Sequence, residues 1–186
     1  MPAAGACQHL NNREDPLRKG MSVSLAVGAL CLAAFSAIGG DIQPAPAPNG
    51  IDLPKDYRDW RVISVSERTD SNTMRVIIGN DVAVAAARAG RTNPWPEGAV
   101  LGKVVWKPVK DGLWPAANVP GEVVHIEFMA KDSKRFASTD TWGYSRWRGI
   151  DLQPHGKDAS FAQECFGCHT AAKGKDYVFT RPAAMP

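Results

Sequence analysis

The chain is poor in the residues that usually mark a site. It holds only four cysteines and four histidines in 186 residues, so few soft or imidazole metal ligands are available. No block of lysines and arginines stands out, and the formal net charge is only +3. Nucleic acid binding draws on a concentrated basic surface, so nucleic acid is not an expected partner. There is no internal repeat, which argues against solenoids and propellers. Hydrophobic residues make up 44% and charged residues 22%, the balance of a soluble globular chain long enough for one domain with an adequate core.

The first forty residues read differently. Arg18 and Lys19 precede an uncharged stretch, Met21 to Gly40, made of small and branched residues. A basic start, an apolar stretch and small residues form the pattern of an export signal, here over 1–40 with cleavage near Ala37 to Gly40. Met21 is an alternative start. A retained N-terminal membrane anchor is the competing reading, because about twenty apolar residues reach across a bilayer. Cys31 in "GALC" invites a lipoprotein reading, but the apolar run continues past it. Removal of the signal takes Cys7 and Cys31 with it and leaves Cys165 and Cys168. Residues 41–52, "DIQPAPAPNGID", read as a mobile Pro/Ala linker. The folded domain is expected over 53–186.

Within that domain short strand patterns predominate. "YRDWRVISVSER" begins as a helical turn and becomes a strand, with Trp60, Val62 and Val65 apolar and Ser64 and Ser66 near them, an imperfect alternation. "TMRVIIGN" is a second strand. "DVAVAAARAG" is a helix that Asp81 can cap and Gly90 can end. "AVLGKVVWKPV" is a strand with Pro108 at its exit. "GEVVHIEFMAKD" alternates, with Val124, Ile126 and Phe128 on one face and Val123, His125 and Glu127 on the other. In "TDTWGYSRWRG", Trp142, Tyr144 and Arg146 share a face. The expected fold is mainly β within the α+β class: an antiparallel sheet with a few short helices and a C-terminal CxxCH segment.

That segment, "ECFGCHTAA", carries the chemistry. Two cysteines two residues apart, followed by histidine, suit two thioether bonds to haem c with the histidine as axial ligand. A thioredoxin-like dithiol would open a helix in a βαβ unit, and no such pattern follows. A structural zinc site would want a second ligand pair, and His125 and His155 are single. A buried disulfide is the blandest alternative and suits the spacing poorly. One CxxCH means one haem. A six-coordinate electron carrier would need a further ligand, for which Met74, Met129, Met185, His125 and His155 are the candidates.

At this point the chain resembles the cytochrome P460 family, which includes the cytochromes c′-beta. The matching stretches are "LPKDYRDW", "MRVIIGNDVAVAAA", "WPEGAVLGKVVWK", "KDSKRFAS" and "ECFGCHTAAKGKDYVFTR", in the family's order, from about Leu53 to Arg181. "KDSKRFA" and "CxxCH…DYVFTR" are the most specific. The resemblance implies a small periplasmic haem c protein, usually a homodimer, with five-coordinate iron. It assigns Cys165 and Cys168 to the thioethers and His169 to the iron. It also implies a bond from a strand lysine, here Lys103, to a haem meso carbon in members that oxidise hydroxylamine to nitrous or nitric oxide. Such members pass electrons to a soluble cytochrome. Relatives without the bond bind nitric oxide and other small gases. Gly102 stands where a larger residue is expected. Tyr144, Arg146, Trp147 and Arg148 replace a mainly aromatic and aliphatic stretch.

The residues themselves leave alternatives open. Lys103 lies in an apolar strand and must reach solvent, pair with an acid or do something unusual. Lys107, an even number of residues on, shares the same strand face and is the near alternative. Arg75 matches a distal arginine of the resembled family, which implies a role in holding an N–O species or a water; otherwise it is a surface arginine. Glu127, Glu97 and Asp140 are candidate bases, with Glu127 and His125 able to form one polar patch. Tyr144 and Trp142 either line the pocket or pack the core. Tyr177, Phe179 and Arg181 follow His169 closely and can cover a haem edge or pair with a propionate.

Overall fold

The computed structural model describes residues 43–184. The expected signal over 1–40, the alternative start at Met21, Cys7, Cys31 and Met185 lie outside the described residues. Six antiparallel strands follow one another across a single sheet: β1 Arg61–Arg68, β2 Thr73–Gly79, β3 Val100–Lys110, β4 Asn118–Lys131, β5 Trp142–Arg148 and β6 Gln153–Pro154. Helix α1, Asp81–Arg88, links β2 to β3, and helix α2, Phe161–His169, follows β6. The expected mainly β fold with short helices is what the chain adopts.

Strand alternation sends side chains to both faces, and each face has its own core. On one face Ile78, Ile126, Phe128 and Trp147 pack with Ala47, Leu53 and Tyr57 from the N-terminal segment. Tyr57, Trp60 and Trp147 meet the Phe128 ring edge-on at 5.7, 5.8 and 6.0 Å. On the other face Ile77, Leu101, Trp142 and Tyr144 pack with Ala83 and Val84 of α1 and with Tyr177 and Val178. Fully burying a large apolar side chain contributes about 1.5–3 kcal/mol, so these few residues carry much of the stability.

Four local expectations differ from the structure. The segment expected as a mobile linker is docked from Gln43 onward. Ala47 is buried. Ala45 accepts a hydrogen bond from Trp147 Nε1 at 2.9 Å. Asn49 Nδ2 donates to the Tyr144 carbonyl at 2.8 Å. Covering the Phe128–Trp147 face outweighs the extended Pro/Ala composition.

In β1 the buried residue is Ile63, while Val62 and Val65 are 50% and 67% exposed. A bulge between Val62 and Ser64 turns Ile63 inward and resets the alternation. Pro108 is not a strand exit. It lies within β3 opposite Pro120, beside a register irregularity that tolerates its missing N–H.

Finally, the cap of α1 is Asn80 and not Asp81. Asn80 Oδ1 accepts from Ala83 N at 3.0 Å and from Val100 N at 3.1 Å, and its Nδ2 donates to the Gly98 carbonyl at 2.8 Å. Asp81 instead pairs with Arg61 on the surface. Asn80→Ala is therefore expected to cost about 1–3 kcal/mol in urea denaturation, because three bonds are lost together. Asp81→Ala should stay within about 0.5 kcal/mol. Equal losses for the two variants would return the cap to Asp81.

Candidate functional site

Helix α2 is short, and its C-terminal turn carries the motif. Cys165, Cys168 and His169 are three and four residues apart, which places them on neighbouring positions of one helix face. Both cysteines are free thiols. Burial raises the pKa of the Cys165 thiol. All three residues line a cavity of about 670 Å³ between α2, the 178–181 segment and the sheet.

His169 is oriented by backbone. Its Nδ1 lies 2.7 Å from the Tyr177 carbonyl. A carbonyl can only accept, so Nδ1 carries the proton and Nε2 is the nitrogen available to a metal. Burial lowers the imidazole pKa against the raising effect of that carbonyl, which favours the neutral ring a metal ligand requires. The ring also meets Tyr144 and Phe179, each with centroids 5.2 Å away.

The opposite wall is a cross-strand row. Ile77, Lys103, Glu127 and Arg146 stand side by side on β2, β3, β4 and β5. Directly opposed residues share a face, so their side chains meet. Glu127 Oε2 pairs with Lys103 Nζ. Glu127 Oε1 lies 2.5 Å from Arg146 Nη2 and 3.3 Å from His125 Nε2. Burial pushes the Glu127 pKa up, but Lys103 and Arg146 outweigh it and hold the carboxyl below its ordinary value. Burial drives His125 down to about 4, and Arg146 and Lys103 add to that effect against Glu127.

Of the candidate site residues, Arg75, Lys103, Glu127, Cys165, Cys168, His169 and Arg181 therefore come together around the cavity. Tyr177 does not join them. Its side chain is buried, packs on Phe166 and donates to Asp140, and only its carbonyl serves the site. Of the rival bases, Glu97 accepts from Ser133 N at 3.1 Å and Asp140 holds Tyr177, and neither lines the cavity. Lys107 is taken out of the row by the β3 irregularities and donates to the Ser71 carbonyl at 3.2 Å. Tyr144 lines the cavity, whereas Trp142 is buried in the core.

Gly102 also has a reason. A Cβ there would stand 2.9 Å from Phe128 Cε1 and 3.0 Å from Ile78 Cγ1, so Phe128 occupies the space a larger residue would take. Residues that sequence reasoning missed are Arg146, Ser64, Ser66, Arg68 and Glu164. Only the β4–β5 register identifies Arg146 as a partner of Glu127.

The lining suits a haem. Two thiols stand one helical turn apart beside a histidine with one nitrogen already tied. Ile77, Leu101, Met129, Val178 and Phe179 supply apolar walls for a macrocycle. Arg75 Nε, Arg146 Nε and Tyr144 OH are buried polar atoms without a partner among the described residues, and a ligand bearing acceptors would satisfy them. Among the described residues no cluster of three His, Cys, Asp or Glu side chains could bind a bare metal ion.

The family model for cytochrome P460 matches residues 54–180. The chain belongs to the cytochrome P460 family. It is accordingly a haem protein, with the motif helix and the Lys103 row inside the matched span. No curated protein matches the chain.

The depressed pKa of His125 has a consequence for stability. Between pH 6.5 and about 4, the unfolded ring takes up a proton that the folded ring refuses. The unfolded state then binds more protons, so stability is full above pH 6.5 and falls as pH drops through that window. Guanidinium denaturation of His125→Gln across this range should recover about 1–2 kcal/mol of the loss. A variant with the wild-type pH slope would show that His125 is already solvated in the fold.

Proposed function

We propose that this cytochrome P460 family member binds one haem c through thioethers from Cys165 and Cys168, with His169 as axial ligand, and oxidises hydroxylamine to nitrous or nitric oxide. The observation that carries the reading is Glu127, an ionised carboxylate held in the cavity beside Lys103. The haem supplies an iron that takes the substrate nitrogen and accepts its electrons. Hydroxylamine must also lose protons, and Glu127 is the acceptor placed to receive them. Arg75 can hold an N–O oxygen through its unpartnered Nε. Ile77, Leu101 and Met129 exclude water from that side.

Lys103 and Glu127 also support the cross-link. The bond would replace one Nζ–H and the meso C–H, releasing two protons and two electrons to an external oxidant of the peroxide class, and Glu127 Oε2 is in contact to take the Nζ proton. Once Lys103 no longer carries charge, the largest influence lowering the Glu127 pKa is gone. Glu127 then becomes a stronger base, closer to the range that serves general base catalysis. The proposal extends to export to the periplasm, transfer of electrons to a soluble cytochrome, and a homodimer, as the family resemblance implies.

A second reading is non-catalytic binding of nitric oxide, and the apolar half of the cavity favours it. A plain electron carrier is less well supported. His125 faces Glu127, His155 lies 3.4 Å from Arg146, and Met74 is on the opposite face of β2 from Arg75. Met129 lines the cavity and is the described candidate left for that role.

Denaturing mass spectrometry should show haem retained by the wild type and lost from the doubly substituted Cys165→Ser, Cys168→Ser protein. The ferrous Soret band should be strongly red-shifted, and Lys103→Ala should restore an ordinary haem c position and abolish hydroxylamine oxidation. Glu127→Gln should slow formation of the shifted band, and in the fraction that carries it should slow oxidation by about 100-fold. An ordinary Soret band in the wild type would overturn hydroxylamine oxidation. High-spin iron would then support nitric oxide binding, and low-spin iron with a methionine ligand would support electron transfer.

A further inference from the structure

The two stretches that most specifically mark the family resemblance, "KDSKRFA" and "DYVFTR", meet inside the protein. Lys131 begins the first and Asp176 opens the second. Lys131 Nζ lies 2.6 Å from both carboxylate oxygens of Asp176, with the side chains only 8% and 10% exposed. The ammonium also stands 4.9 Å from the centre of the Trp142 ring. Asp176 Oδ2 further accepts from Trp95 N at 2.8 Å. Neither side chain lines the cavity, so this buried pair is not used by the chemistry described above.

Its position in the chain suggests its use. Asp176 and Tyr177 are consecutive non-glycine residues with left-handed backbones, φ 52° and 63°. Such conformations persist only where surrounding contacts hold them. Here the Asp176 carboxylate is held by Lys131 and Trp95, the Gly174 carbonyl accepts from Asn93 Nδ2 at 3.0 Å, and the Tyr177 hydroxyl donates to Asp140. The Tyr177 carbonyl that this turn presents accepts from His169 Nδ1.

We propose that the Lys131–Asp176 ion pair is the positioning device for His169, acting through the Tyr177 carbonyl. The proposal rests on His169 being the haem ligand. Lys131 reaches the ligand from the end of β4, so the strand that carries Glu127 on one wall also sets the imidazole on the other. A hydrogen bond to Nδ1–H fixes the ring and makes Nε2 a stronger donor. Loss of the ion pair should let the turn relax, weaken that bond and leave the iron–histidine bond weaker.

The test uses holoprotein carrying Asp176→Asn, Lys131→Met or Lys131→Arg, with Leu53→Ala as a destabilised control in the core cluster on the opposite face of the sheet. Resonance Raman of the ferrous state should show a lower iron–histidine stretching frequency in Asp176→Asn and Lys131→Met. The midpoint potential should rise, and nitric oxide should displace His169 about tenfold faster. Lys131→Arg, which keeps the charge, should stay near the wild type. Variants that match Leu53→Ala in all three measurements would overturn the proposal. If the first two variants yield no holoprotein, hydrogen exchange in the wild type decides. The His169 Nδ1 proton and the Trp95 amide should exchange in the same slow class, and immediate exchange of the Nδ1 proton would overturn the proposal. A wild type with no iron–histidine band would instead defeat the haem-ligand assignment.

Discussion

The site depends on one half-buried carboxylate. Glu127 sits on a central strand with its side chain only 16% exposed, where an isolated charge would be costly. It is tolerated because Lys103 and Arg146 reach it from the strands on either side, with His125 beside it. The dependence is mutual, since a lysine and an arginine drawn toward a partly enclosed cavity also need a counter-charge. The antiparallel register makes this possible by placing the three residues in one row. A slip of one residue in β4 would send Glu127 to the Trp147 face and leave two cations facing Phe128.

The other wall is organised by backbone. Helix α2 ends at His169, and a tight turn brings Tyr177 back so that its carbonyl meets the imidazole. The motif therefore combines a helical turn, which spaces the two thiols and the histidine, with a return segment, which sets the ring. The N-terminal segment packs on the Phe128 cluster and covers the sheet from behind. The cavity is bounded by the sheet on one side and the motif helix on the other.

Burial also separates the roles of similar groups. Glu97, Glu127 and Asp140 are all acids in suggestive places, yet only Glu127 is inside the cavity. The others bond a backbone N–H and a tyrosine hydroxyl. Lys103 and Lys107 differ in the same way, because irregular pairing after Val105 removes Lys107 from the face that Lys103 occupies. Proximity in sequence is a poor guide wherever a bulge resets strand parity.

Much was legible in the residues. The CxxCH spacing, the alternation in β4 and β5 and the ordered family stretches pointed to the mainly β fold, the motif helix and Lys103, because these signals are local. Others required tertiary structure. The pairing of Glu127 with Arg146 depends on register between strands, which no single strand encodes. The docking of residues 43–52 depends on an apolar sheet face that a Pro/Ala composition does not reveal. The capping by Asn80 depends on Gly98 and Val100 returning beside the helix start. Tyr177 was a candidate to cover a haem edge; its side chain turns away to Asp140 and its carbonyl accepts from His169, because a left-handed turn reverses the chain there. The sequence by itself determined which groups the protein has and how they are spaced along helix and strand. The tertiary structure decided which of them meet, because ion pairs and hydrogen bonds between distant residues exist only once strand register and turn geometry bring them together.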